Sequence, residues 1–131
     1  MKKIFAVMIF AFLMSHCASL PESLNEINQK LDSKAVEEIV LVKVIDDSRC
    51  PEGVQCVWAG EVTVEVAAYK NKKLVEQTQF TLNKDHIEEM KYWLIKYLPK
   101  RSETLKNISV LPYPKEGMVI LPQDYKIVLE Y

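Results

Sequence analysis

Alternation of apolar and polar residues along the chain predicts β-strands. The clearest case is residues 62–69, where the apolar side chains of Val62, Val64, Val66 and Ala68 face one side of an extended chain. Thr63, Glu65 and Tyr69 face the other side. This pattern is typical of an antiparallel sheet with one face on the core and one face in water. Further extended segments are predicted at 40–45, 74–82, 108–111 and 125–131.

A turn and a hairpin are predicted between two of these segments. Lys70-Asn71-Lys72-Lys73 separates 62–69 from 74–82, and asparagine tolerates the positive φ of tight turns. The two segments therefore read as an antiparallel hairpin.

A helical period replaces the strand period after residue 84. Asp85 and Glu88 resemble a capping box, and Pro99 ends the pattern. The sequence predicts one amphipathic helix over about residues 85–98 and about five or six strands. The fold class is mainly β, a small antiparallel β-sandwich or open barrel with this one inserted helix. The apolar stripe of the helix is Ile87, Met90, Leu94 and Leu98.

The N-terminus has the pattern of an export signal. Lys2 and Lys3 precede an entirely apolar run of eleven residues, 4–14, and a short polar exit follows. The run is too short to span a bilayer as a helix. A buried core helix is the alternative interpretation. We expect export from a bacterial cytoplasm to the periplasm or cell envelope.

Two ways of processing the signal are open. Cys17 follows the apolar run as in the lipobox of bacterial lipoproteins, where it would be the acylated first residue of the mature chain. His16 stands where lipoboxes have a small residue, so ordinary cleavage after Ser19 is the alternative. Acylating or removing Cys17 leaves an even pair of cysteines.

These boundaries predict a signal peptide at 1–17, a polar tether at 18–34 and a single β-rich domain at 35–131. The tether region also allows a short amphipathic helix, because Leu24, Ile27 and Leu31 have helical spacing.

The charge balance makes some partners unfavourable. The whole chain has a net charge of −1, and loss of Lys2 and Lys3 leaves 15 basic against 18 acidic residues. Mild acidity disfavours nucleic acid and anionic membrane surfaces. Membrane attachment is therefore expected only through a lipid anchor at Cys17.

Cys50 and Cys56 allow a metal site, a redox centre or a disulfide. A structural zinc takes four ligands, and the mature chain offers His86 as the one further candidate. A redox centre usually has two residues between its cysteines, whereas five intervene here. A disulfide fits an exported protein, and closing this loop stabilises the fold by roughly 2.4 kcal/mol.

The loop residues are compatible with closure by this disulfide. Pro51 suits the second position of a tight turn and Gly53 the fourth. Gly60 predicts a bulge or close packing at the entry to the next strand, and Trp58 could cover the disulfide.

The motif D-S-R-C-P-x4-C-[VI]-W-A-G resembles the core of a family of small exported bacterial proteins, among them lipoproteins. Here it spans Asp47–Pro51 and Cys56–Gly60, and the resemblance extends to 109–114 and 124–131. The resemblance implies export and a β-rich fold, and no activity. The chain departs from it by inserting the 85–98 helix where a plain loop is expected.

Arg49 and Asp47 invite both a structural and a functional interpretation. They could form an ion pair or bind the carbonyls of their own loop, or they could contact a ligand. Asp46 and Asp47 are no acid/base pair, because no partner base or phosphate-binding loop accompanies them. His86 reads as a solvated residue. We assign no catalytic residue, metal ligand or cofactor.

The first hypothesis for the function is a non-catalytic envelope protein that binds an unknown envelope protein or small ligand. It would use a sandwich edge or the disulfide-closed loop, with Arg49, Glu52, Gln55 and Trp58 as contact residues. The alternative is an inhibitor of an extracellular hydrolase that inserts the loop 50–56 into a cleft. An enzyme is the third possibility.

Overall fold

The computed structural model describes residues 25–99 and 103–131. The predicted signal peptide, Cys17 and the tether up to residue 24 lie outside the described residues. Each strand segment predicted from the sequence is a strand in the structure. The elements are β1 Glu26–Ile27, β2 Glu37–Asp47, β3 Val62–Lys70, β4 Lys73–Leu82, α1 Glu88–Tyr97, β5 Asn107–Leu111 and β6 Lys126–Glu130.

The strands form two antiparallel sheets of three strands each. One sheet has the order β2-β3-β4 and the other the order β1-β6-β5. Over the described residues the fold is therefore mainly β, a small sandwich with one helix and no closed barrel. The predicted hairpin joins β3 to β4 through Asn71 and Lys72, whose φ angles of 49° and 62° suit a tight hairpin turn.

The core lies between the sheets and is completed by the helix. Val64 and Val66 of β3 are fully buried, as are Met90 and Leu94 of α1. The ring of Trp93 meets that of Phe80 edge to face at 5.7 Å between centroids. The apolar stripe predicted for the helix thus supplies one wall of the core. Within the described ranges, no helix is long and apolar enough to cross a bilayer.

Strand β2 departs from the regular alternation expected of it. Its register against β3 shifts between Leu41 and Lys43 and again between Val44 and Asp46. Each shift leaves one residue out of the ladder, as in a β-bulge. Val42 and Ile45 are the residues skipped, and both are exposed although they are apolar.

The predicted start of the helix is wrong. The helix begins at Glu88, and no side chain caps it. The Oδ1 atom of Asn83 instead accepts hydrogen bonds from the backbone N–H groups of Asp85 and His86, at 2.9 and 3.0 Å. Asparagine side chains readily form hydrogen bonds with nearby backbone groups. Here the two bonds to Asn83 hold Asp85 in a turn before the helix.

Part of the predicted tether belongs to the folded domain. Residues 26–27 form a strand that pairs with β6, so the helical alternative does not hold there. Ile27 is 3% exposed and lies in the core. The Gln29 amide donates to the Tyr125 carbonyl at 2.9 Å, and the Asn28 carbonyl accepts from Leu41 N–H. The domain therefore includes residues before position 35, because one buried isoleucine anchors them.

We predict that Leu94→Ala lowers the free energy of unfolding by about 2–5 kcal/mol, because it leaves a cavity in the core. Ile95→Ala is the matched control, because the side chain of Ile95 is next to Leu94 in the sequence but is 58% exposed. Its removal should lower the free energy of unfolding by less than about 0.5 kcal/mol. Urea unfolding of both variants measures the difference. Equal losses would show that the helix does not pack as described.

Candidate functional site

The disulfide predicted from the sequence is present. Cys50 and Cys56 are bonded, with their Cα atoms 5.9 Å apart. Within the closed loop, the N–H of Val54 donates to the carbonyl of Pro51 at 3.2 Å. Pro51 is thus the first residue of the turn and Gly53 the third, one position from the prediction. Gly53 has a φ of +88°, which the third position of a type II turn requires.

Gly60 brings the two ends of the loop together. A Cβ atom at this position would lie 1.9 Å from the carbonyl oxygen of Ser48, and its φ is +69°. Backbone hydrogen bonds continue past the strands here, from Ser48 N–H to Glu61 at 2.8 Å and from Cys50 N–H to Ala59 at 3.1 Å. The close approach predicted at Gly60 is therefore a contact between backbones, which any side chain would prevent.

The disulfide-closed loop docks onto the segment that follows β5. Glu52 N–H donates to the Pro114 carbonyl at 2.9 Å, and Glu116 N–H donates to the Glu52 carbonyl at 3.0 Å. An exposed ion pair between Lys115 and Glu52, at 3.6 Å, lies beside these bonds. The loop is consequently held by the disulfide and by the backbone hydrogen bonds of Glu52 to the segment after β5.

Asp47 and Arg49 form a two-pronged ion pair. Arg49 Nε donates to Asp47 Oδ1 at 2.7 Å, and Nη2 donates to Oδ2 at 2.6 Å. Both side chains are only 9% exposed. The planar guanidinium matches a carboxylate in this geometry, which makes such pairs strong.

The ion pair also joins one sheet to the other. Arg49 Nη1 donates to the Val110 carbonyl at 2.6 Å and Nη2 to the Pro112 carbonyl at 3.1 Å, while its guanidinium lies 5.0 Å from the Tyr113 ring centroid. Tyr125 donates its hydroxyl to Asp47 Oδ2 at 3.0 Å. The ion-pair interpretation is thus confirmed. The carbonyls that Arg49 binds belong to β5 of the other sheet and to Pro112 just after it, and not to its own loop.

The surroundings of Asp47 favour its charged form. Burial disfavours the carboxylate, but the hydrogen bonds and charge of Arg49 and the hydroxyl of Tyr125 outweigh it and hold the pKa of Asp47 below its ordinary value. Burial and the same hydrogen bond raise the pKa of Tyr125 to about 12. The cluster is therefore a structural link built from an ionised Asp47 and a neutral Tyr125.

The four predicted contact residues do not share one environment. Arg49 is held in the buried cluster, whereas Glu52, Gln55 and Trp58 are exposed. Trp58 is 73% exposed and Cys56 is exposed as well, so the expected covering of the disulfide by Trp58 is wrong. Four apolar residues of 113–121 are also exposed. For three of them the sequence signal is a short apolar run between Gly117 and Pro122 with no strand period. The four are Tyr113, Met118, Val119 and Leu121.

A cleft of about 590 Å³ lies between the two sheets beside Arg49 and Cys50. One wall is the whole of β5, and the other is formed by the start of β3 and the end of β4. Sequence patterns did not reveal it, because its walls come together only through packing of the two sheets. Its apolar floor consists of Val62, Leu82, Ile87, Ile108 and Val110, and its polar rim of Asn83, Lys84, Asn107 and Ser109.

His86 lies on the surface in the turn before the helix, where Nδ1 is 3.1 Å from Asn83 Oδ1. Within residues 25–99 and 103–131, no three His, Cys, Asp or Glu side chains cluster so that they could hold a metal ion. In the described part of the chain, the candidate functional features are thus the exposed apolar surface and the cleft.

We predict that Asp47→Asn lowers the free energy of unfolding at pH 7 by about 3 kcal/mol, because it leaves the Arg49 charge buried without a carboxylate. The folded pKa of Asp47 lies below that of the unfolded chain, roughly 3.9. The stabilisation is therefore complete above that pH and is lost as the pH falls through the folded pKa. Urea unfolding of both proteins over a pH series measures this.

The control for this series is Asp46→Asn, which alters the exposed neighbouring carboxylate and should change stability by less than about 0.5 kcal/mol. A gap between wild type and Asp47→Asn that stays constant down to pH 2 would contradict the assignment.

We predict that the double substitution Cys50→Ser with Cys56→Ser costs roughly 2.4 kcal/mol of stability and leaves the fold intact, because the Arg49 pair and the Glu52 backbone bonds still anchor the loop. Thermal unfolding and far-UV circular dichroism check both parts. Complete loss of structure would mean that the disulfide alone holds this end together.

Comparison of the chain with known protein families, with curated proteins and with solved structures gave no match in any of the three.

Proposed function

We propose that this chain is a non-catalytic exported protein of the bacterial cell envelope that binds another envelope protein. Binding uses the loop end of the sandwich, which comprises residues 50–60 and 113–121. The two segments lie side by side through the bonds of Glu52 with Pro114 and Glu116. We propose that Cys17 anchors the protein by a lipid and that no cofactor takes part.

The observation that carries this proposal is the exposure of large apolar side chains on a fixed backbone. Trp58 is 73% exposed, Val57 95% and Val119 81%. Apolar side chains gathered on a surface mark interaction sites, and tryptophan contributes strongly to protein interfaces. The disulfide and the Arg49 pair hold the backbone beneath them, so little entropy is lost when the loop end binds.

The proposal of export is supported by the N-terminal sequence and by the disulfide. Lys2, Lys3 and the apolar run 4–14 have the pattern of an export signal. Disulfides persist in oxidising compartments, which gives weaker support of the same kind.

A second candidate is an inhibitor of an extracellular hydrolase. Val54 and Gln55 favour it, because both are exposed within the disulfide-closed loop. Glu52 weakens it, since its backbone N–H and carbonyl are already bonded to Pro114 and Glu116 and are not free to pair with an enzyme. Binding of another protein through the loop end, called the docking role below, therefore ranks first.

The test of the docking role is affinity capture from envelope extract of the native host, with wild type and Trp58→Ser as baits. We expect a saturable partner whose affinity falls about thirtyfold or more with Trp58→Ser, the loss typical of a buried aromatic anchor. The matched control is Tyr92→Ser, because Tyr92 on α1 is 74% exposed and belongs to neither segment of the loop end.

Two results would contradict the docking role. The first is the absence of any saturable partner, and the second is an equal loss of affinity with Tyr92→Ser. Stoichiometric inhibition of a protease or lysozyme from a panel, lost with Gln55→Ala, would instead establish the inhibitor.

A further inference from the structure

The cleft beside Arg49 follows the edge of a strand. All five residues of β5, Asn107–Leu111, line it. Side chains of successive strand residues point to opposite faces, so a cleft that touches every one of them runs along the edge. Among the strands that the structure describes, β5 is an edge strand, because its sheet has the order β1-β6-β5. The cleft therefore gives access to the backbone of β5.

The backbone of Ile108 faces this cleft. Val110 and Pro112 turn their carbonyls away from β6, since both accept hydrogen bonds from Arg49. In an antiparallel pair, alternate residues direct their N–H and carbonyl groups to the same edge. Ile108 is two residues before Val110, so its N–H and carbonyl point into the cleft. Among the described residues, no side chain or loop backbone bonds to them there.

The cleft also has a definite apolar and charged character. Its floor contains Val62, Leu82 and Ile108, which are buried side chains. Lys84 lies at the rim, is exposed and has no ion pair within the described part of the chain. None of the described residues that line the cleft is Asp or Glu. The cleft therefore suits a ligand with an apolar group beside a carboxylate.

Arg49 limits how far such a ligand extends along the edge. Its guanidinium occupies the edge carbonyls of Val110 and Pro112, and Pro112 has no N–H to offer. One complete pair of backbone groups, that of Ile108, is left for a partner strand. A short extended segment fits this arrangement, whereas a long added strand would displace Arg49.

We propose that the cleft binds a short extended acidic peptide segment of a partner protein by β-strand addition to β5. The segment pairs with the backbone of Ile108, places one apolar side chain on the floor and directs a carboxylate to Lys84. Unpaired strand edges accept added strands in this way. The inference rests on the proposed binding role but uses the edge of β5. The cleft shares Cys50, Ala59, Gly60 and Tyr113 with the loop end, but not Trp58.

The test uses the full oxidised chain and an acetylated peptide of sequence Asp-Val-Thr-Val-Thr as the probe. Backbone amide chemical shifts, followed to millimolar peptide, should change along 107–109 and 82–84, and the Ile108 N–H should become protected from exchange. Peptides N-methylated at single positions should lose binding at the one residue whose N–H donates to the Ile108 carbonyl. They should keep binding at the two neighbouring residues, whose N–H groups point away from β5.

Lys84→Glu tests the charge at the rim, and we expect it to weaken peptide binding about three- to tenfold. The matched control is Lys73→Glu, an exposed lysine at the opposite end of β4, which should leave binding unchanged. Trp58→Ser should also leave peptide binding unchanged, so failure of the loop end and failure of the cleft are distinguishable.

Four results would overturn the proposal. The first two are the absence of chemical-shift changes along β5 and an equal loss of binding at successive N-methylated positions of the peptide. The other two are equal shift changes with decanoate in place of the peptide, and shift changes that depend on protein concentration when no peptide is present. The decanoate result would indicate a small-molecule carboxylate site, and the last would indicate pairing between copies of this chain.

Discussion

The buried ion pair of Asp47 and Arg49 is the interaction on which the arrangement of this protein depends. It lies where β2 ends, and through Arg49 and Tyr125 it reaches β5, Pro112 and the start of β6. A guanidinium whose charge and hydrogen bonds are both satisfied can remain buried. Burying Asp47 or Arg49 without the other would instead lower the free energy of unfolding. The pair thus fixes the spacing of the two sheets at this end. Gly60 is required beside it, because the backbone of Ser48 passes too close for a side chain.

This one pair separates two surfaces with different chemistry. On one side, the disulfide-closed loop and the segment after β5 present apolar side chains such as Trp58 and Val119. On the other side, the Arg49 guanidinium occupies the Val110 carbonyl at the edge of β5. The part of this edge that stays free in the cleft is therefore at Ile108. Segments far apart in the sequence meet at this pair, because Val110, Pro112 and Tyr125 all bond to it.

Local features could be predicted from the sequence, and features that depend on distant contacts could not. The period of two located β3 and β4, and Asn71 marked their turn. The five residues between Cys50 and Cys56 favoured a disulfide over a redox centre. Each of these signals acts within a few residues. The bulges at Val42 and Ile45, the burial of Ile27 and the cleft escaped prediction, since sheet packing creates them. Arg49 shows the division most clearly. Its partner Asp47 is two residues away and was anticipated, whereas its carbonyl partners lie 61 and 63 residues along the chain.

The most direct test of this account is a double-mutant cycle on the ion pair, with Arg49→Met, Asp47→Asn and the two combined, followed by urea unfolding at pH 7. Each single substitution strands a buried charge, while the double substitution strands none. The account therefore predicts that the double variant is more stable than the summed single losses imply, by about 2 kcal/mol. Additive losses, within about 0.5 kcal/mol, would show that the two side chains do not act as a buried pair and would contradict the account.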